Sequence, residues 1–275
     1  MSSPHGQALG PQKRVAILVI ASTRSPLYVH YLETYWSSVI RWTNAVYPHI
    51  SVFLLFEHDV ELDRFGGLEN HIIQDPTSDY DRHCDPARQT PGIPGILLKT
   101  IFALDLLQDR YDVFFRTNLS SMLKLSAFDR FVQEKNDLRY SSAFVWVDAL
   151  RQQLEQTGQV GPNKRLKTLD ELRSYTGNSF ASGSGYFLNR SEAKSLLERR
   201  DRIRFDLADD ISVGLMFREC ELLPRFSFIG RRDRTVAELS AGILEHPAVH
   251  IRLQHLELTT AKSLWDDLGD HEMWR

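Results

Sequence analysis

Apolar and polar positions come in blocks along this chain, and the block lengths separate strands from helices. Residues 14–22 (RVAILVIAS) form a continuous, largely β-branched run, which predicts a strand buried on both faces. Pro26 then suits the first turn of a helix whose apolar positions are Leu27, Tyr31, Tyr35 and Val39. Residues 50–56 (ISVFLLF) predict a second buried strand, and residues 71–73 a short third one. Helical spacing returns over 96–107, with Leu97, Ile101, Leu104 and Leu107 on one side. Residues 111–117 (YDVFFRT) predict a further strand that ends in polar Asn118-Leu119-Ser120-Ser121.

The second half repeats the alternation less regularly. Ser126 reads as the cap of a helix running to about Gln133. Residues 140–147 have strand character, and 179–188 (SFASGSGYFL) read as a strand broken by glycines. Helices are expected over 191–200, with Ser191 near the cap, and over 209–220, with two carboxylates at the start. A strand over 249–253 and a helix near Leu264 close the pattern. Two stretches have no period. Residues 74–95 carry Pro76, Pro86, Pro91 and Pro94, and 152–165 are polar with two glycines; both read as loops.

Strands alternating with helices predict an α/β fold with a mostly parallel central sheet flanked by helices. Residues 1–12 read as a disordered leader and 13–275 as one domain, with no internal repeat. Composition narrows the function. A net charge of −3 gives no basic excess to neutralise phosphates, which argues against a generic nucleic-acid binder. Cys84 and Cys220 are too few for a disulfide framework or a zinc cage. The longest apolar run, 15–21, is far short of a membrane span, and no signal peptide is recognisable. A soluble, cytoplasmic protein is expected.

In open α/β sheets ligands bind outside the carboxyl ends of the strands. Ser22, Thr23 and Arg24 follow the first strand, and Thr117, Asn118 and Ser120 follow another. Arg24, Lys99 and Arg116 add positive charge near those ends, which suits an anionic ligand such as a diphosphate. No P-loop, no GxGxxG fingerprint and no GxSxG elbow is present. Gly183-Ser184-Gly185 marks a place where a ligand or another backbone comes close. Asp209 and Asp210 open a helix; capping explains one of them, and the other suits a general base. His71, Asp79, Asp81, His83, Cys84 and Asp85 match no structural zinc spacing and read as a solvated loop. His250 and Arg252 share one face of their strand, where they could meet phosphates; His246 and His255 lie nearby in sequence.

Three segments carry a family likeness. They are 95–123 (GILLKTIFALDLLQDRYDVFFRTNLSSML), 180–197 (FASGSGYFLNRSEAKSLL) and 209–217 (DDISVGLMF). In order and spacing they resemble the glycosyltransferases of the fringe and β-1,3-galactosyltransferase type, which have a GT-A (Rossmann-like) fold. The resemblance implies an inverting enzyme that moves a sugar from a nucleotide-sugar donor, UDP-linked by expectation, to a hydroxyl of a glycan acceptor. It places Ser22, Thr23 and Arg24 near the nucleotide, Lys99 near the donor site and Gly183, Ser184 and Gly185 along the donor and acceptor cleft; Arg116, Thr117, Asn118, Ser120, His250 and Arg252 are expected as further donor-binding residues from their places at strand ends and their charge. Asp210 matches the Asp of the family's EDV segment, its candidate base, and Asp209 replaces the Glu.

The chain departs from the family at the acidic DxD motif, where it has Asn118-Leu119-Ser120. Cations beside phosphates favour carboxylate oxygens. The expectation is therefore a transferase that works without metal, its leaving diphosphate stabilised by cationic side chains. If Mn²⁺ or Mg²⁺ takes part, Asn118 and His250 are the residues to hold it. Two alternatives stand beside this reading. One is a non-catalytic descendant that binds nucleotide sugar or glycan and partners an active enzyme. The other is an unrelated Rossmann-like nucleotide enzyme.

Overall fold

The computed structural model describes residues 11–58, 60–61, 63–76, 93–143, 145–147, 179–202, 209–226, 230–233 and 248–253. The expected leader up to residue 10, most of the proline-rich segment, the polar segment 152–165 and the helix near Leu264 lie outside these residues.

The first strand, β1 (Val15–Ile20), is buried at every position. That is what a continuous apolar run requires, because both of its faces must be covered. Parallel neighbours flank it, β2 (Ile50–Glu57) on one side and β4 (Val113–Asn118) on the other. Beyond β2 lies β3 (Ile72–Asp75), also parallel. On the β4 side the sheet continues through antiparallel β9 (Gly185–Asn189), then β6 (Ser141–Ser142) and β10 (Arg225–Phe226). The order is β10-β6-β9-β4-β1-β2-β3, so six strands run one way and β9 alone runs against them. The fold is α/β with a mostly parallel central sheet.

Strand alternation divides the core into two layers. Val15, Ile17, Val19 and Ala21 pack against a long helical stretch and α4 (Leu125–Glu134). Ala16, Leu18 and Ile20 pack on the opposite face with α3 (Ile93–Leu107), α5 (Arg190–Glu198) and α6 (Asp209–Arg218).

The long helical stretch is α1 (Pro26–Tyr31), a π turn (Leu32–Trp36) and α2 (Ser37–Val46). Ser25 caps it, accepting from the Leu27 N–H, with Pro26 in the first turn. The π turn has a sequence cause. Buried residues recur every fourth position, at Tyr31, Tyr35 and Val39 and again at Leu32, Trp36 and Ile40. On a regular α-helix each such step drifts about 40° away from the core. A wider turn takes back that drift and keeps both rows inward.

Two of the expected helix starts move. Lys124, not Ser126, precedes α4, and no side chain caps it. Leu125 is fully buried, so core packing draws the first turn two residues earlier and leaves Ser126 inside the helix. In α5 the cap is Asn189, whose Oδ1 accepts from Ser191 and Glu192. The glycine-broken strand splits in two. β8 (Ser179–Ala181) pairs with β7 (Val145–Val147) outside the main sheet, and β9 returns into it. A third small sheet joins β11 (Gly230–Asp233), β12 (His250–Leu253) and β5 (Ser121–Leu123).

Gly214 lets α6 lie directly on β8. A Cβ there would sit 2.6 Å from the Phe180 Cβ, a separation that real side chains do not reach. The Gly214→Ala substitution should therefore destabilise the chain by about 1–3 kcal/mol, despite alanine's better helix propensity. Urea unfolding checks this, with a lowered midpoint at unchanged slope.

Candidate active site

The parallel order places β1 between its chain neighbour β2 and the later β4. Connections leave β1 and β4 in opposite directions along the sheet, so their carboxyl ends form the switch point at which open α/β sheets build a binding crevice. Asn118 is in register with Ile20, and the segment 21–24 leaves β1 at this point. Ser22 and Thr23 are half-buried and Arg24 is exposed. The Ser22 Oγ accepts from the Arg24 N–H at 3.3 Å and turns the loop outward.

Lys99 reaches this edge from α3 but is 1% exposed. Its Nζ donates to the Ala21 carbonyl at 3.1 Å and to Glu57 Oε1 at 2.9 Å. Burial lowers its proton affinity most; Glu57 opposes that, while Arg116 and Arg24 add to it. Three cations thus stand close together, as the sequence placed them. Only Arg24 of the three is exposed. Lys99 acts as a tie between the ends of β1 and β2. Glu57, which the sequence reading passed over, ends an apolar run of β2, and an acid in that place is itself a signal.

Arg116 is 2% exposed. Its side chain shares a face with Asn118 and turns toward α6. One terminal nitrogen donates to the Gly183 carbonyl, and Nη2 donates to Asp209 Oδ2 at 2.6 Å. The guanidinium also stands 5.7 Å from the centre of the Tyr186 ring. The Asn118 Nδ2 donates to the same Gly183 carbonyl at 2.9 Å. From the other side, the Gly183 N–H donates to Asp210 Oδ2 at 3.0 Å. A single residue, Gly183, therefore joins β4 to the start of α6. A Cβ on Gly183 would lie 3.2 Å from Arg116 Nη1 and 3.3 Å from Asp210 Oδ2, which leaves little room for a side chain.

Asp210 is half-buried, and its Oδ1 accepts from the Ile211 N–H at 3.0 Å. Burial, then the charge of Asp209, push its carboxyl up to about 6; the Gly183 N–H, Arg116 and the Ile211 N–H pull the other way. Tyr140 and Tyr186 face the two carboxylates from below, and burial pushes both phenols up. The Tyr140 hydroxyl accepts from the Ala181 N–H at 2.9 Å and so anchors β8 beside the site.

Other expected site residues lie on the opposite face of β4. Thr117 is buried, and its Oγ1 donates to the Ser184 carbonyl at 3.0 Å and meets His250 Nε2 at 3.2 Å. His250 is fully buried, edge-on to Phe115. A Cβ on Gly185 would fall 2.8 Å from the Phe115 ring and 3.0 Å from the His250 ring. In both glycines the close approach is made by protein side chains. Arg252 is half-buried near the Tyr31 hydroxyl, whose proton affinity burial pushes up to about 12 and Arg252 pulls down. Ser120 is buried, and its carbonyl accepts from the Leu253 N–H at 2.8 Å.

The family's divalent cation does not fit the residues found at its motif. Asn118 offers a neutral amide already directed at Gly183, Ser120 offers a neutral hydroxyl, and His250 Nε2 meets Thr117. Among the described residues no group of three His, Cys, Asp or Glu side chains is placed to hold a metal ion. His71 is engaged through Nδ1 with the Val52 carbonyl and through Nε2 with Asn44. Asp79, Asp81, His83, Cys84, Asp85, His246 and His255 lie outside the described residues. No helix among the described residues is long and apolar enough to cross a membrane.

No protein-family model matches the chain, and no curated protein matches it by sequence. Solved structures do superpose on it. Mouse xyloside xylosyltransferase 1, in its apo form, is 13% identical with a TM-score of 0.47, covering 88% of this chain and 98% of that one. The catalytic domain of Drosophila β1,4-galactosyltransferase 7, in complex with xylobiose, is 10% identical with a TM-score of 0.36 over 78% of this chain. The match spans 64% of that galactosyltransferase domain, a little under two thirds of its length. The inositol-1-phosphate CTP transferase from T. maritima is 8% identical with a TM-score of 0.46, covering 93% and 97%. These likenesses are too remote to carry chemistry from one chain to another.

Two outcomes follow from the buried charges. The Lys99→Met substitution should cost about 3–5 kcal/mol, because Glu57 is left buried without its partner. The Lys99→Met/Glu57→Leu double variant should recover most of that loss in urea unfolding. Asp210 gives a pH signature. Its folded-state value lies above the ordinary 3.8, so folding takes up a proton there. The associated stability is complete below pH ~4 and is lost as pH rises through ~6. An Asp210→Asn variant should thus be more stable than the parent at pH 7, by on the order of 1–3 kcal/mol, with the difference vanishing near pH 4. Thermal unfolding across that range measures it.

Proposed function

We propose that the chain is an inverting glycosyltransferase of GT-A type, using a nucleotide-sugar donor and a glycan hydroxyl as acceptor. The observation that carries this reading is the place of Asp210: a half-buried carboxylate with raised proton affinity, held by the Gly183 turn on the edge of the β1–β4 crevice. The order of the three family-like segments supports it. Asp210 would take the proton of the acceptor hydroxyl as that oxygen attacks the anomeric carbon. The bond from that carbon to the diphosphate breaks in the same displacement, so configuration inverts and the nucleoside diphosphate leaves. Each Asp210 oxygen accepts one backbone N–H and keeps a further lone pair for the incoming proton.

Charge on the leaving diphosphate would be met by exposed Arg24, at the carboxyl end of β1. The neutral Asn118-Leu119-Ser120 segment supports a reaction without divalent metal. The same segment favours the second reading, a non-catalytic sugar- or nucleotide-binding descendant.

Binding and hydrolysis across UDP-, GDP-, dTDP- and CMP-sugars, with Mn²⁺ and with EDTA, separate these readings. Turnover in EDTA, UDP-sugars leading, is expected; turnover only with Mn²⁺ removes metal independence, and binding without turnover selects the second reading. The Asp210→Asn variant should lose about 100-fold or more in kcat with donor affinity retained. In the parent, kcat should rise through pH ~6 as Asp210 loses its proton.

A further inference from the structure

Two adjacent carboxylates open α6, and nothing local distinguishes them. We propose that Arg116 is the positioning residue that makes them unequal: it holds Asp209 in an ion pair and fixes the Gly183 turn, which leaves Asp210 to receive the proton. The inference rests on the reading of Asp210 as base and assigns a different role to a residue expected at the donor from its charge and its place at a strand end.

The geometry supports it at three points. First, the guanidinium is already committed. Its two terminal nitrogens serve Gly183 and Asp209, and its buried Nε has no hydrogen-bond partner among the described residues. A diphosphate could reach it only by breaking a buried ion pair 2.6 Å long. Second, the two carboxylates meet different partners. Asp209 accepts from a cation, whereas among the described residues Asp210 accepts from backbone N–H groups, those of Gly183 and Ile211. Like charges this close ionise unequally once one of them is neutralised by a cation. Third, the planar fork sets the geometry. Two separated terminal nitrogens hold the Gly183 carbonyl and Asp209 each in its own direction, whereas lysine would have to draw both acceptors to one nitrogen.

The groups facing Asp210 are Asp209 from α6, Arg116 from β4, Tyr186 from β9 and Tyr140 ahead of β6. Lys99 on α3 faces Arg116 from behind. Burial pushes both phenols up, so they stay neutral as Asp210 titrates. Among the described groups that face the pair, Arg116 is the cation, and its ion pair with Asp209 adds to the difference that burial makes at Asp210.

The test is an NMR titration of the full chain with carbon-13 in the aspartate carboxyls, the Asp210 signal being assigned by its loss in Asp210→Asn. In the parent, Asp210 should titrate in one step near pH ~6. In Arg116→Gln the proton becomes shared with Asp209, and the Asp210 curve should break into two steps. Arg116→Lys keeps the charge but loses the fork, and should also depart from the parent curve. An Asp209→Asn variant, which removes the same pair with little change of shape, should move Asp210 down in a single step, toward the ordinary carboxylate range but short of it, because burial remains. With the best donor of the panel, Arg116→Lys should lose about 10-fold in kcat while the donor KM changes less than about 3-fold.

An unchanged Asp210 curve in Asp209→Asn, or in whichever Arg116 variant folds, overturns the proposal. So does an Arg116 variant whose loss falls on the donor KM, because that is the mark of a diphosphate ligand. Failure of the base reading looks different: Asp210→Asn would keep its turnover while the unequal titration persisted.

Discussion

A guanidinium buried between a sheet and a helix must be neutralised, and this site is arranged around that requirement. Arg116 sits at the carboxyl end of the central parallel strands, almost without solvent. Leaving such a charge unpaired costs several kcal/mol, so the segments that supply its partners are drawn to it. Asp209 brings the start of α6, and the Gly183 carbonyl brings the turn between β8 and β9. That turn then presents its N–H to Asp210. One buried cation thereby links residues far apart in sequence into one wall of the crevice.

The opposite wall depends on packing more than on charge. Tyr35 and Trp36 leave the π turn into the core, and each holds the segment that follows β4. The Trp36 Nε1 donates to the Leu119 carbonyl at 2.9 Å, and the Tyr35 hydroxyl accepts from the Leu123 N–H at 2.7 Å. The place where the family carries its acidic motif is thus fixed from below by two aromatic side chains. Phe115, Phe128 and Phe187 cluster beneath the same segment, with ring centres 4.6–5.7 Å apart. Rigidity at this edge suits a site that works by holding charges in set positions, since preorganised dipoles need no rearrangement during reaction.

The two faces of β4 therefore do different work. Arg116 and Asn118 turn toward α6 and organise the carboxylates, whereas Thr117 turns toward β12 and packs with His250. A strand passes its residues alternately to opposite faces, so neighbours in sequence become strangers in chemistry.

The pattern of apolar positions by itself determined the strands Val15–Ile20, Ile50–Glu57 and Val113–Asn118 and the helix before β4, because burial on one or both faces leaves a short-range period. Polar residues at the ends of β1 and β4 are likewise visible in one dimension. Where caps compete with core packing, as at Ser126 and Leu125, local preference lost to the buried side chain. The loads on particular residues were decided only in three dimensions. Lys99 and Arg116 look alike in sequence to exposed Arg24, yet both are buried and paired. Gly183 and Gly185 announce a close approach, but not that Arg116, Asp210, Phe115 and His250 make it. Asp209 and Asp210 are the same residue twice. Asp209 pairs with Arg116, 93 positions earlier, and no local pattern can encode a partner at that distance.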